Sequence, residues 1–135
     1  MPDLPPEVAY QNAIDGLTEK YDKLKKLTAA LKNRRDELRE KLAAGKQGLV
    51  ALEEQLNAAI DTNNDEEALK LLTKKEAHEA HLQELEGDTA LAEQDVEEAK
   101  SSLKEIKDNV EKLKTERERA QVQLAQLEMR DQLDG

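Results

Sequence analysis

From Tyr10 onward, apolar residues recur on alternating steps of four and three. The series runs Tyr10, Ile14, Leu17, Tyr21, Leu24, Thr28, Leu31, Arg35, Leu38, Leu42, Gly45, Leu49, Leu52, Leu56 and Ala59. Twelve of these fifteen positions are Tyr, Ile, Leu or Ala, the mark of a coiled-coil seam. A disordered chain does not hold such a beat. A second series runs Ala68, Leu71, Lys75, His78, Leu82, Leu85, Thr89, Ala92, Val96, Ala99, Leu103, Ile106, Val110, Leu113, Arg117, Ala120, Leu124 and Leu127, with only Lys75, His78, Thr89 and Arg117 polar. The chain is therefore expected to be two long helices, with no strand signal.

Composition narrows the field further. Tyr10 and Tyr21 are the only aromatics among 135 residues, and Cys is absent. A compact domain usually anchors its core on several rings, whereas a chain rich in Ala, Glu, Lys, Leu and Arg suits long helices. Without Cys, disulfide scaffolds, thiolate metal sites and cysteine catalysis are excluded. No apolar run of about 18 residues exists, and the N-terminus lacks the basic-then-apolar layout of a signal peptide. The net charge of −10 argues against a nucleic-acid partner, which calls for a basic surface.

Between the two series lies Asp61-Thr62-Asn63-Asn64-Asp65-Glu66-Glu67, the one cluster of turn formers inside the chain. Asn tolerates the left-handed conformation that ends a helix. Asn64 or Asp65 is suited to N-cap the next one, with Glu66 and Glu67 favoured by the helix dipole. Pro5 and Pro6 suit a helix start. The expected fold is all-α: a long antiparallel coiled-coil hairpin with a helix over about 6–61, a turn at Thr62, Asn63, Asn64 and Asp65, and a helix over about 66–131. Residues 1–5 form a proline-rich cap, 6–131 a single hairpin and 132–135 a tail.

A turn centred between Asn63 and Asn64 predicts that residues meeting across the hairpin have numbers summing to 127. The two series obey this: Ala59 faces Ala68, Leu56 Leu71, Leu42 Leu85, Leu31 Val96, Leu24 Leu103, Leu17 Val110 and Ile14 Leu113. Two heptad series would mirror this way by chance about one time in seven. The expected core thus contains Leu17, Tyr21, Leu24, Leu31, Leu38, Leu42, Leu82, Leu85, Val96, Leu103, Ile106, Val110 and Leu113. Awkward residues meet compensating ones: Gly45 faces Leu82, Thr28 Ala99 and Arg35 Ala92.

Charge supports the same pairing. Residues 20–46 carry ten basic and four acidic side chains, while their mirror, 81–107, carries three basic and eight acidic. Each exposed pair contributes only about 0–1 kcal/mol, but the pattern penalises parallel or slipped pairing. At 1.5 Å per residue the helices would reach about 80–100 Å. The second helix outruns the first, so Leu124, Leu127 and Leu133 are expected to overhang as an interface for a second copy of the chain or another helical protein.

No chemistry suggests itself. His78 and His81 share a helix face, but nothing opposite completes a metal site. Ser101 and Ser102 lack the elbow of a catalytic serine. Carboxylate pairs such as Glu53-Glu54 and Glu97-Glu98 have no pocket to separate their pKa values. Catalytic residues, cofactor and metal are all expected to be absent.

The stretch Leu52-Glu53-Glu54-Gln55-Leu56-Asn57-Ala58-Ala59-Ile60, followed by Asn64-Asp65-Glu66-Glu67-Ala68-Leu69-Lys70-Leu71-Leu72-Thr73-Lys74-Lys75, resembles the hairpin tip of the phage shock protein A family, which includes the plastid vesicle-inducing protein. Leu113-Lys114-Thr115-Glu116-Arg117 and the run to Met129-Arg130 are similar in style, so the resemblance covers about residues 10–130. It implies a hairpin of the ESCRT-III-like superfamily that self-assembles in membrane stress and remodelling, in the cytoplasm at the inner membrane, with an AAA+ activator as a partner. Met1 to Pro6 is a proline-rich cap rather than the amphipathic helix that opens family members. Membrane contact is therefore expected only through segments outside this sequence. The competing expectation is a coiled-coil spacer or protein-interaction arm with no membrane role.

Overall fold

In a computed structural model, which describes residues 4–135, the chain forms two helices, α1 (Pro6–Asp61) and α2 (Asp65–Asp134). Met1, Pro2 and Asp3 of the expected N-terminal cap lie outside the described residues. Pro6 opens α1, where a missing N–H costs nothing and a fixed φ suits the helix; the Pro5 carbonyl accepts from Ala9 N at 3.1 Å. The packing is that of an antiparallel helical hairpin.

Three residues, Thr62, Asn63 and Asn64, reverse the chain. Asn63 adopts φ 54°, the left-handed conformation that closes a helix. Asn64 N donates to Ala59 O at 2.9 Å and Asn63 N to Ile60 O at 3.1 Å, the paired bonds of a Schellman end. Asn64 also starts α2: its side-chain Oδ1 accepts from Glu67 N at 3.4 Å, and its carbonyl accepts from Ala68 N at 2.9 Å. One residue thus ends one helix and caps the next. Asp65 accordingly belongs to the helix rather than to the turn, and its carboxylate joins Glu66 and Glu67 at the positive end of the dipole. At the other end α2 continues to Asp134, past the expected limit at 131.

Close packing divides the chain into two compact units. One is Ala29–Glu97, which holds the turn. Its core gathers Leu38, Leu82, Leu85 and Ala92, with Leu42 and Leu49 packed against them; Val96 is sealed completely and Leu71 and Ala59 are buried. The other unit is Glu98–Gly135 with the described part of Met1–Thr28. Here Ile14, Thr28 and Ala99 are buried, and Leu17, Tyr21, Leu24, Leu103, Ile106, Val110 and Leu113 are half-buried. Burial of a large aliphatic side chain contributes about 1.5–3 kcal/mol, and in both units that burial is drawn from one stripe per helix.

Cross-helix bonds fix the register within each unit. In the turn-bearing unit Lys75 Nζ lies 3.9 Å from Glu53 and Arg39 Nε 3.0 Å from Glu93. In the other, Gln121 Nε2 donates to Glu7 Oε1 at 2.9 Å and Arg117 Nη1 to Gln11 Oε1 at 2.5 Å. All four pairs keep within a few residues of the mirror about 127.

The turn geometry sets an expectation for Asn63. A β-branched residue carries the full left-handed penalty of about 1–2 kcal/mol, whereas glycine carries none. Asn63→Val should lower unfolding stability by roughly that amount and Asn63→Gly should leave it equal or higher, read by urea denaturation followed by circular dichroism.

Candidate interaction surface

α2 outlasts its partner. Gln121 is bonded to Glu7, in the first turn of α1, and every residue from 121 to 135 is exposed. Ala120, one step earlier on the seam, is still half-buried. Pro5, Pro6 and Glu7 form with Ala120, Gln121 and Leu124 a small groove of about 120 Å³, so the seam does not stop at the end of α1 but opens there.

Leu124 and Leu127, 54% and 57% exposed, continue the seam stripe. Leu133, at 78%, does not: nine residues at about 100° each turn it roughly 180° from Leu124. It shares its face instead with Val122 and Met129, both also exposed. The expected single interface of Leu124, Leu127 and Leu133 is therefore two stripes on opposite sides of one helix, and a single partner helix could cover only one of them.

The turn residues Thr62, Asn63, Asn64 and Asp65 are exposed, and their polar atoms serve the backbone: Thr62 Oγ1 donates to Ala58 O at 2.9 Å. Nearby lies a feature that periodicity did not reveal. Ile60, Leu69 and Leu72 belong to neither series, yet they are 55%, 66% and 42% exposed and line one groove with Leu56, Asp65 and Ala68. Their signal in the sequence was apolar residues off the seam and close to the turn.

His78 reaches across the seam. Its Nε2 lies 2.6 Å from Gly45 O, and since a carbonyl only accepts, that nitrogen carries the proton. A Cβ at Gly48 would sit 3.2 Å from the imidazole, and one at Gly45 only 2.5 Å from Leu82 Cδ2. The two glycines thus form a saddle that receives Leu82 and His78 from α2. His81 is exposed, and no group of three or more His, Asp or Glu among the described residues is placed to hold a metal. No helix among them is long and apolar enough to cross a membrane.

Compared with protein-family models, with curated proteins and with solved structures, the chain matches none.

The saddle can be tested against ordinary helix propensity. A methyl group added at Gly16 would meet nothing within 4 Å, so Gly16→Ala should stabilise by about 0.5–1 kcal/mol. Gly45→Ala should instead destabilise, because Leu82 is buried and must shift. Adding Leu82→Val should recover part of the loss, measured by thermal unfolding of all three variants.

Proposed function

We propose that this chain is a non-catalytic helical-hairpin protein that works by assembling with further copies of itself or with another helical protein, in the manner of the membrane-stress and membrane-remodelling proteins of the phage shock protein A type. The observation that carries this reading is the open seam. Leu124 and Leu127 repeat the heptad positions that α1 covers elsewhere, and both are exposed, Leu124 beside Pro5 and Pro6. Apolar stripes of this kind on a water-facing helix mark contacts between chains. Val122, Met129 and Leu133 on the other side extend the same argument to a second neighbour, which favours assembly beyond a simple pair.

The resemblance around residues 52–75 supports the membrane context and the AAA+ activator as a candidate partner, and the open seam supports the assembly reading. Under the competing reading, a spacer arm, the exposed leucines are a frayed end. Light scattering coupled to gel filtration separates the two. The full chain should run above its monomer mass of 15.2 kDa, and Leu124→Glu with Leu127→Glu should return it to that mass with little loss of helix. A monomeric wild type whose melting is unchanged by truncation after Arg119 would instead support the spacer. Concentration-dependent rods or rings in electron micrographs, and flotation of the full-length protein with anionic vesicles, would extend the assembly reading to membranes.

A further inference from the structure

In the turn-bearing unit an apolar groove of about 330 Å³ runs between the end of α1 and the start of α2. Its floor is Leu56 and Ala68, both half-buried seam residues, and its walls are Ile60, Leu69 and Leu72. Single exposed leucines such as Leu27 and Leu91 are ordinary on a helical surface. Three large side chains converging on one groove are not, since such patches mark recognition sites. The heptad seam does not use them, the turn is complete without them, and the open seam of the proposed assembly lies in the other unit.

The rim of the groove is acidic. Asp65 lines it directly. By helical spacing Glu76 follows Leu72 by four residues and Glu53 precedes Leu56 by three, which puts each on the face of its helix that the groove occupies. Asp61 borders Ile60. Of the lysines at this end, Lys75 lies 3.9 Å from Glu53 and 3.7 Å from Glu79, Lys70 lies 3.8 Å from Glu66, and Lys74, five residues after Leu69, falls about 140° around α2 from it, off the groove face. Along α2 the groove extends from Asp65 to Leu72, about 10 Å, or two helical turns. That length receives two or three side chains spaced three and four apart on a partner helix.

We propose that this groove docks a short basic amphipathic helix of another protein, its apolar side chains seated among Ile60, Leu69 and Leu72 and its Lys or Arg residues over Asp61, Asp65 and Glu76. Charge selects this occupant over two others. Anionic lipid headgroups would meet a rim of their own sign. A second copy offers two free stripes, Leu124 and Leu127 with Glu128, Asp131 and Arg130 nearby, and Val122, Met129 and Leu133 with Glu118 and Arg119 nearby, and neither brings the net positive charge that the rim calls for.

The test uses the full chain and a defined probe: a labelled synthetic helix of about 14 residues, four turns, with Leu at alternating third and fourth positions and Lys elsewhere, against the same peptide with Glu for Lys. Fluorescence anisotropy should show the Lys peptide binding at least about tenfold more tightly than the Glu peptide. Leu69→Ser with Leu72→Ser should weaken the Lys peptide by about tenfold or more, while Leu91→Ser, a comparable exposed leucine outside the groove, should leave it unchanged. Both wall leucines are exposed, so melting should be preserved. Equal loss in Leu91→Ser, or no loss in the wall variant, would reduce the binding to general attraction of a cation for an acidic chain and overturn the proposal. So would a fall in the chain's own mass by light scattering in the wall variant, which would make a second copy the occupant, or wall-dependent flotation with phosphatidylserine vesicles, which would make it a membrane.

Discussion

The hairpin rests on a seam one side chain thick. A globular core has several layers, so a misplaced residue can be absorbed by its neighbours. Here each buried residue has neighbours along its own helix and across the seam, and nothing behind it. The register between the helices therefore bears on the burial of every seam residue within a unit. The turn sets that register. Asn63 supplies the left-handed step, and Asn64 is shared between the end of α1 and the start of α2, which leaves no slack between the two helices.

A seam this thin must also dispose of its polar members without a polar layer. It does so within each helix or at its edge. Thr28 and Thr89 are buried at 3% and 5% exposure, yet each hydroxyl donates back to a carbonyl one turn earlier, Leu24 O at 2.7 Å and Leu85 O at 2.6 Å. Facing residues then see only methyl groups. Lys75 carries its charge outward to Glu53 and Glu79, and Arg117 reaches Gln11. His78 bonds the backbone of the opposite helix, and the glycine saddle is what brings that carbonyl within reach.

Much of this was legible in the sequence because the controlling signal is periodic and local. A residue such as Val96 or Leu38 is buried because of its phase, and phase can be counted. The turn was legible because Asn63 and Asn64 answer a specific backbone need. What could not be counted was contact that depends on side-chain reach. The seam series puts His78 opposite Leu49, but an imidazole long enough to reach Gly45 finds a backbone acceptor that no pattern of residue types announces. Leu133 shows the opposite failure: proximity in sequence suggested one interface with Leu124, where helical phase separates them. The groove at Ile60, Leu69 and Leu72 leaves no mark on the heptad period because all three residues lie off it.

In a multilayered protein an apolar side chain off one packing face can be covered by another layer. In a two-helix hairpin the seam is the only interior, and any large aliphatic residue outside it must face water or a second molecule. Such residues cost solubility and contribute nothing to the hairpin's own stability, so where they cluster they are best explained by contacts made elsewhere. They cluster in two places: around the end of α2, at Val122, Met129 and Leu133, and beside the turn, at Ile60, Leu69 and Leu72. The first set lies across α2 from a seam that is itself left open, which suits helices like those already packed in this chain. The second surrounds a closed turn and carries an acidic rim, so its complement must bring a charge that this chain's own exposed stripes do not provide.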